Sequence, residues 1–306
     1  MSTPPITRIP KLAITVIFFY REHRLVYLDT LANHFASLAD QVIVTIVTNT
    51  DDAGERAIIE KTIAGRGFAY DIFTPIGLGH PWLLPWSHFY VFRKLIQDES
   101  VTHFMYVEDD ILITAENITY WLESLPHLRH HGLLPGFLRV EQQATTGIWY
   151  SSDCLMPHVA RCLPHVRGDK NLMYVNLPTP YQGTYLLDRE LMQVHLNNHS
   201  SHPNFGQWGI PEKATQGLTY FNFPKGFRSR VVIPYDESQN QIDPRCLIRH
   251  LPNNYVNRAE PSDRLASVPV AELLRAPTLK HLARYVVDRV ILAFETRIMK
   301  KPLPLP

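Results

Sequence analysis

The feature that most constrains the fold is a regular alternation of apolar and amphipathic segments in the first half of the chain. Strand-like apolar runs occupy residues 12–20, 41–48, 68–73 and 102–107, and helix-like segments occupy residues 24–38, 52–64, 87–96 and 116–125. Strands that alternate with helices are usually joined by helical crossovers, which makes the strands parallel. The sequence therefore predicts an α/β fold, with a Rossmann-type, mostly parallel sheet flanked by helices.

A different pattern begins near residue 130. Residues 132–141 form one more strand-like run, and the following segments, rich in Gly, Pro and aromatic residues, predict long ordered loops. Beyond residue 256 the composition becomes polar, and residues 270–299 are basic with helical periodicity. We expect one domain over residues 1–256, with halves at about 12–113 and 130–256, and a linker with a C-terminal helical appendage over 257–306.

The predicted C-terminal helix has two interpretations. Leu282, Val286, Ile291 and Phe294 are interspersed with Lys and Arg, which is the pattern of a basic amphipathic helix. Such a helix could dock on the domain or make a peripheral contact with an anionic membrane. The sequence leaves both alternatives open.

Composition excludes several classes of function. The 30 basic and 29 acidic side chains give a net charge of +1, so no global field favours nucleic acid as a partner. Three cysteines without CxxC spacing argue against a disulfide framework and against a structural zinc site. The apolar run at 12–20 is shorter than the ~20 residues of a membrane helix. We expect a cytoplasmic protein without a signal peptide or transmembrane span.

Three adjacent acids end the fourth predicted strand: Glu108, Asp109 and Asp110. In open parallel sheets, ligands bind outside the carboxyl ends of the strands. Glu108 and Asp110 are two residues apart and point to the same side of an extended segment, where two carboxylates form part of a cage for a divalent cation. The alternative is that these acids only solvate a strand end or cap a helix, but the apolar residues on both sides make this an unfavourable place for three like charges.

The segment VTHFMYVEDDILIT resembles the strand and DXD motif of glycosyltransferases with the GT-A fold. This resemblance implies Mn²⁺ or Mg²⁺ as cofactor, a UDP- or GDP-sugar as donor, and a carbohydrate or glycan acceptor. It assigns Asp110 as a metal ligand, and it assigns Glu108 to the ribose or to the metal and its water. Asp109 lies in the same donor site. The family more often has Asp at the first position, where this chain has Glu108.

Later segments resemble the same family in the expected order. PTPYQGTYLLDRELM is similar to a stretch that lines the donor sugar and acceptor, which implies Gly183 with its neighbouring tyrosines. RHLPNNY resembles the late segment with a further metal ligand, which implies His250 and, in the loop after it, Asn253. The family pattern also implies nucleotide contacts after the first two strands, namely Tyr20, Arg21, Glu22, Thr48, Asn49 and Asp51. Each of these residues could equally belong to an ordinary turn or loop.

The segment WGIPEKATQGL resembles the part of the family that carries an acid near the acceptor hydroxyl, and Glu212 is its match. A hydroxyl has a high pKa, so a carboxylate within hydrogen-bond reach can take its proton as it attacks. This role implies an inverting transfer, with Asp188 and Asp153 as reserve candidates. A retaining mechanism, which would need no such base, stays open. Arg228 and Arg230 could neutralise phosphate or could face solvent on a strand.

Two other functions compete with sugar transfer. A sugar-phosphate nucleotidyltransferase shares the sheet, the nucleotide and the metal, but usually carries a glycine-rich basic loop after the first strand. This chain has FFYREHRL there, without glycine. The second alternative is a non-catalytic carbohydrate-binding relic, since a fold does not by itself fix a function.

Overall fold

The computed structural model describes residues 8–169, 171–258 and 265–276. The strands of these residues are, in chain order, β1 (Ile9–Phe18), β2 (Ala39–Thr48), β3 (Ala69–Phe73), β4 (His103–Glu108), β5 (Ile111–Leu112), β6 (Leu134–Pro135), β7 (Leu138–Gln142), β8 (Trp149–Ser151), β9 (His158–Val159), β10 (His165–Arg167), β11 (Leu172–Val175), β12 (Thr184–Asp188), β13 (Val231–Asp236), β14 (Gln241–Ile242), β15 (Leu247–His250), β16 (Val268–Pro269) and β17 (Leu274–Arg275). The α-helices are α1 (Leu25–Phe35), α2 (Ala53–Ile63), α3 (His88–Leu95), α4 (Ala115–His130), α5 (Arg189–Leu196), α6 (Ile210–Ala214) and α7 (Val270–Leu273).

The central sheet has the strand order β12-β4-β1-β2-β3. The first four strands of the chain run parallel, and β12 joins the edge antiparallel to β4. In the register, Ile17 pairs with Glu108 and Phe18 pairs with Thr48, so the carboxyl ends of β1, β2 and β4 meet at one edge. The predicted fold class, a mostly parallel sheet flanked by helices, is confirmed.

Helices cover the sheet because each has an apolar face. In α1, for example, Leu28, Leu31 and Phe35 follow a spacing of three to four residues, and all three side chains are buried. The four helices predicted in the first half occur as α1 to α4. The acidic strand end thus stands on a rigid, well-packed scaffold.

A second sheet, with the order β16-β8-β7-β15-β5, lies beyond the acidic strand end. The short strand β5 follows the triplet directly and pairs antiparallel with β15, which sets His250 opposite Ile111. A third sheet combines β10, β11, β13 and β14, with β6 paired to β13. The second sheet therefore brings a segment from late in the chain to the edge of the central sheet.

The strand predicted over residues 132–141 is divided into β6 and β7 around Gly136. The Gly136 N–H donates to the carbonyl of Val232 at 2.8 Å, and a Cβ at this position would collide with the Val231 side chain. The chain consequently leaves its partner β13 and continues in β7 beside β15. Sequence periodicity cannot indicate such a change of partner.

Part of the region expected to be a linker packs onto the domain. β16 pairs with β8, β17 pairs with β9, and Leu273 and Leu274 are buried. Of the helix expected over residues 270–299, residues 270–273 form α7 and residues 274–275 form β17, whereas the part with Leu282, Val286, Ile291 and Phe294 lies outside the described residues. Among the residues that are described, none belongs to a helix long and apolar enough to cross a bilayer.

Asn117 joins the start of α4 to the start of β15. Its buried side chain donates to the carbonyls of Arg245 at 2.7 Å and Leu247 at 2.9 Å, while its Oδ1 accepts from the Thr114 N–H at 2.8 Å. We expect Asn117→Ala to lower the free energy of unfolding by about 3 kcal/mol, because it removes one half of the capping box with Thr114 and leaves two partly buried carbonyls without donors. Urea unfolding measures this loss.

Thr119→Ala is the matched control on the same helix. Its exposed hydroxyl bonds only to the Ala115 carbonyl within the helix, so the change should stay within about 0.5 kcal/mol. Equal losses in the two variants would contradict the assigned role of Asn117.

Candidate active site

The acidic triplet lies at the carboxyl edge of the central sheet, where β4 ends. Asp109 and Asp110 are almost wholly buried, and the Asp109 N–H donates to the Ile17 carbonyl of β1 at 3.3 Å. Burial raises the pKa of Glu108 to about 8, and the neighbouring Asp110 carboxylate adds to this rise. Three acids held together in this way require compensating positive charge.

Arg24 supplies part of that charge. It ends a 3₁₀ turn (Glu22–Arg24) after β1, and its Nε and Nη2 contact the two carboxylate oxygens of Asp109 at 2.7 and 2.5 Å. Nη2 also donates to Asp110 Oδ2 at 2.9 Å. Burial still raises the pKa of Asp109 to about 6 against this ion pair. The sequence prediction placed ligand contacts at Tyr20, Arg21 and Glu22 and missed Arg24, although a basic residue after the first strand was a usable signal.

His250 reaches the triplet from β15. Its Nε2 lies 3.6 Å from Asp110 Oδ2, and its Nδ1 lies 2.5 Å from Glu141 Oε1. Burial lowers the pKa of His250, but the contacts with Asp110 and Glu141 outweigh this effect and raise it. The predicted neighbours Asp110 and His250 are thus brought together, whereas Glu141 carries no sequence signal that would distinguish it from other acids.

The donor set around Asp110 fits a divalent cation. Asp110 Oδ1 is buried and accepts no hydrogen bond within the described residues, although its neighbour Oδ2 is occupied by Arg24. Carboxylate oxygen suits Mg²⁺ and Mn²⁺, and imidazole is a common ligand of transition metals. No group of three His, Cys, Asp or Glu side chains in residues 8–169, 171–258 and 265–276 is arranged to hold a metal. Asp110 and His250 would therefore leave most of the shell to water and phosphate oxygens.

Gly183 allows the Glu108 carboxylate to lie against the backbone. Gly183 adopts a φ of +65°, and a Cβ there would lie 2.8 Å from Glu108 Oε2. The Glu108 N–H donates to the Gly183 carbonyl at 3.1 Å, and the Tyr181 hydroxyl donates to Glu108 Oε1 at 3.2 Å. Gly183 thus makes room for the first acid of the triplet, and its predicted place beside the donor sugar stays a prediction.

A pocket of about 700 Å³ opens over these groups. Its lining residues are Glu108, Asp110, Arg139, Asp153, Leu155, Thr179, Tyr181, Trp208, Gly209, Glu212, His250, Tyr255 and Leu265. Arg139, which no sequence motif indicated, is buried and holds Asp153 with two hydrogen bonds of 3.0 and 2.6 Å. Its guanidinium also lies 4.8 Å from the ring centre of Tyr181. Asp153, a reserve base, is therefore already paired.

Glu212 faces the same pocket from the short helix α6. Its Oε2 is buried and has no hydrogen-bond partner among the residues that the structure describes. A Cβ at Gly209 would lie 2.5 Å from this oxygen, so a larger residue there would shift the carboxylate. The Trp86 indole N–H donates to the Ile210 carbonyl at 2.9 Å and anchors the helix. The predicted base thus has one unengaged carboxylate oxygen beside the pocket.

Asp188 does not belong to this site. Because β12 runs antiparallel to β4, Asp188 pairs with His103, at the opposite edge of the sheet from the triplet. Its side chain caps α5 by accepting from the Leu191 N–H at 2.9 Å, and it forms an ion pair with Arg129. The role of Asp188 is therefore to cap α5 and to pair with Arg129. The expectation that Asp188 is a reserve base at the site is wrong.

The other predicted ligand contacts lie in turns around the site and stay predictions. The Tyr20 N–H donates to Asn49 Oδ1 at 2.6 Å, which ties the ends of β1 and β2 together. Arg21 and Asp51 are exposed, so both can be reached by a ligand. Asn253 Oδ1 accepts from the Gln142 N–H at 3.0 Å and therefore holds the loop after His250.

The two arginines considered for phosphate do not line the pocket. Arg230 Nε donates to the Gly132 carbonyl at 3.0 Å, and the Arg228 N–H donates to Asn176 Oδ1 at 2.8 Å. Arg230 thereby fixes the turn that precedes β6. Arg24 and Arg139 are the arginines that contact the acids of the site.

Comparison with known proteins gives low similarity. The chain is similar to the crystal structure of a glycosyltransferase involved in the glycosylation of the major capsid of PBCV-1, with 12% identity over 71% of this chain and 78% of that chain and a TM-score of 0.31. It is also similar to S. aureus TarS 1–349, with 12% identity over 72% of this chain and 57% of that chain and a TM-score of 0.38. No family model and no curated protein sequence matches the chain. The function is therefore argued from the geometry of the site.

Gly183→Ala separates backbone strain from damage to the site. We expect a loss of about 1–2 kcal/mol in unfolding free energy, because alanine is strained at positive φ. From the sequence prediction that Glu108 lies in a donor site, we also expect weaker Mn²⁺-dependent binding of UDP and GDP, because the new Cβ must displace Glu108. Urea unfolding and calorimetric titration measure the two effects.

Gly65→Ala is the control for this substitution. Gly65 has a φ of +72°, and no atom lies within 4 Å of the place that a Cβ would take, so alanine there is strained without a collision. The variant should lose similar stability and bind nucleotide normally. A Gly183→Ala protein with unchanged nucleotide binding would contradict the placement of Glu108 in the donor site.

Proposed function

We propose that the protein is a divalent-metal-dependent glycosyltransferase that moves a sugar from a nucleotide-sugar to an acceptor hydroxyl. The observation that carries this proposal is that Glu108, Asp110, His250 and Glu212 line one pocket of about 700 Å³ at the carboxyl edge of the central sheet. This is the edge at which open α/β sheets bind nucleotides. A pair of side chains suited to a divalent cation and an acid suited to act as a base, together in one pocket, are the groups that a metal-dependent, inverting sugar transfer would use.

The donor side of the proposal rests on Asp110 and His250. Asp110 Oδ1 and His250 Nε2 are the protein atoms that would hold the divalent ion, and a diphosphate would complete its shell. Once bound, the ion supplies positive charge that stabilises the departing nucleoside diphosphate. Arg24 pairs with Asp109 beside it and also donates to Asp110 Oδ2. Glu108, held by Tyr181, is the acid proposed to contact the ribose or a bound water.

The acceptor side rests on Glu212. Its carboxylate lines the pocket and can accept the proton of a hydroxyl as that hydroxyl attacks the anomeric carbon. Attack from the side opposite the diphosphate inverts the anomeric configuration. Trp208 and Tyr181, which line the pocket and contact each other with ring centres 5.3 Å apart, offer aromatic faces for a sugar ring.

A screen of nucleotide-sugars tests the proposal directly. UDP- and GDP-sugars are added with Mn²⁺, with Mg²⁺ or with EDTA, and both the melting temperature and the release of nucleoside diphosphate are measured. We expect a metal-dependent rise in melting temperature with at least one donor, followed by slow hydrolysis. Binding without any turnover would favour the non-catalytic relic, and pyrophosphate-dependent chemistry would favour the nucleotidyltransferase.

Asp110→Ala should abolish the metal dependence of nucleotide binding while leaving the fold intact. A carboxylate at a strand end contributes more to a ligand than to the core, so the affinity for UDP or GDP in Mn²⁺ should fall to its value in EDTA. His250→Ala should weaken the metal effect less, because one ligand of a partly hydrated ion is lost. Calorimetric titration with and without Mn²⁺ measures both variants.

The control for charge is Glu116→Ala. Glu116 is an exposed acid in the first turn of α4, so its loss changes the net charge equally without touching the site. If Asp110→Ala retains the Mn²⁺-dependent gain in nucleotide affinity, Asp110 is not the metal ligand.

Glu212→Gln should lower kcat by about 100-fold or more and leave the donor affinity nearly unchanged. Glutamine keeps the size of the side chain and most of its hydrogen bonding but cannot take a proton at neutral pH. Steady-state kinetics and donor titration measure the two quantities. An NMR spectrum of the product should show an inverted anomeric centre.

Asp188→Asn distinguishes Glu212 from the former reserve candidate. It removes the negative charge from the Arg129 ion pair and from the N-terminus of α5, so we expect a lower melting temperature and a normal kcat. Near-normal turnover by Glu212→Gln, or a product with retained configuration, would remove Glu212 from the mechanism.

A further inference from the structure

Glu141 is a completely buried carboxylate whose two oxygens are both engaged. It lies on β7, and its relative exposure is 0%. Oε1 lies 2.5 Å from His250 Nδ1, while Oε2 accepts from the backbone N–H groups of Tyr255 and Val256, each at 2.8 Å. One side chain thus connects the imidazole at the end of β15 with the loop that follows it.

Burying a carboxylate costs several kcal/mol unless hydrogen bonds and opposite charge compensate, so a well-packed apolar side chain would hold β7 and β15 together more simply. The bonds to Tyr255 and Val256 account for only one of the two oxygens of Glu141. The other oxygen is directed at the ring nitrogen of His250 that faces away from Asp110. Glu141 therefore holds the imidazole of His250 as well as the backbone of the loop.

We propose that Glu141 is a positioning residue that holds the proton of His250 on Nδ1 and so leaves Nε2 available toward Asp110. A carboxylate can only accept a hydrogen bond, which requires a proton on the nitrogen it contacts. Glu141 is nearer to the ring than Asp110 is, at 2.5 Å against 3.6 Å, so the proton of the neutral ring stays at Nδ1. Carboxylates that orient metal-binding histidines in this way fix both the tautomer and the ring plane.

Tyr255 reinforces this position. Its ring stacks on His250, with centres 5.0 Å apart and an interplanar angle of 22°. Because Glu141 also holds the Tyr255 backbone, the carboxylate fixes the edge of the imidazole directly and its face through the tyrosine. The role of Glu141 in metal binding rests on the proposed function, whereas its control of the His250 tautomer does not.

Glu141→Gln is the informative variant, because it changes donor and acceptor character without changing size. If the amide oxygen keeps the bonds to Tyr255 and Val256, the amide NH₂ faces His250 and donates to Nδ1. The proton of the neutral ring then moves to Nε2, which loses its lone pair toward Asp110. We expect the affinity for Mn²⁺, measured by calorimetry without nucleotide, to fall about 10–100-fold.

Two further variants separate positioning from a merely structural role. Glu141→Asp retains an acceptor and should lose less Mn²⁺ affinity than Glu141→Gln. In a His250→Ala background, Glu141→Gln should cause no additional loss, since its effect passes through the imidazole. Equal losses by Asp and Gln, or an additional loss in the double variant, would overturn the proposal.

The ¹⁵N chemical shifts of His250 give a measurement that is independent of metal and of activity. They are recorded without metal, at a pH at which the ring is neutral, and should show the proton on Nδ1 in the unmodified protein and on Nε2 in Glu141→Gln. A proton on Nε2 in the unmodified protein overturns the proposal even if no variant folds. If the shifts follow the expectation but the unmodified protein binds no Mn²⁺, the metal part of the proposed function fails and the tautomer assignment stands.

Discussion

The burial of three adjacent carboxylates at the end of β4 is the constraint on which the rest of the site depends. Like charges at this spacing repel each other, and burial raises the pKa of Glu108 to about 8. Arg24 supplies compensating charge at 2.9 Å from Asp110 Oδ2, and His250, from late in the chain, lies 3.6 Å from the same oxygen. The fold must therefore bring the turn after β1 and the end of β15 to the same strand end.

The pairing of β5 with β15 meets this requirement. β5 is only two residues long, yet it carries the chain directly from Asp110 into the second sheet and fixes His250 opposite Ile111. Asn117 secures the start of β15 to α4, and Glu141 secures its end. The acids come from the central sheet and the histidine from its neighbour, so the distance between Asp110 and His250 depends on how the two sheets join.

The hydrogen bonding of the carboxylates divides the acids of this region into two groups. Asp153, Asp188 and Glu141 have partners that explain their positions, namely an arginine, a helix end and an imidazole. Asp110 and Glu212 each keep one buried oxygen without a partner in the described part of the chain. A buried acceptor without a donor is costly, and a bound ion, water or ligand can supply the missing partner. This distinction supports Asp110 and Glu212 as ligand-facing groups more strongly than their sequence context does.

The sequence by itself determined the parallel sheet, its first four helices and the acidic strand end, because hydrophobic periodicity is a local property of the chain. It also indicated His250 and Glu212, which occur in recognisable segments. Only the tertiary structure decided the roles of Arg24, Arg139 and Glu141, since each acts on a residue far away in sequence; Glu141 and His250 are 109 positions apart. Asp188 was excluded from the site for the same reason. Its position depends on the direction in which β12 joins the sheet, and no local sequence pattern records that direction.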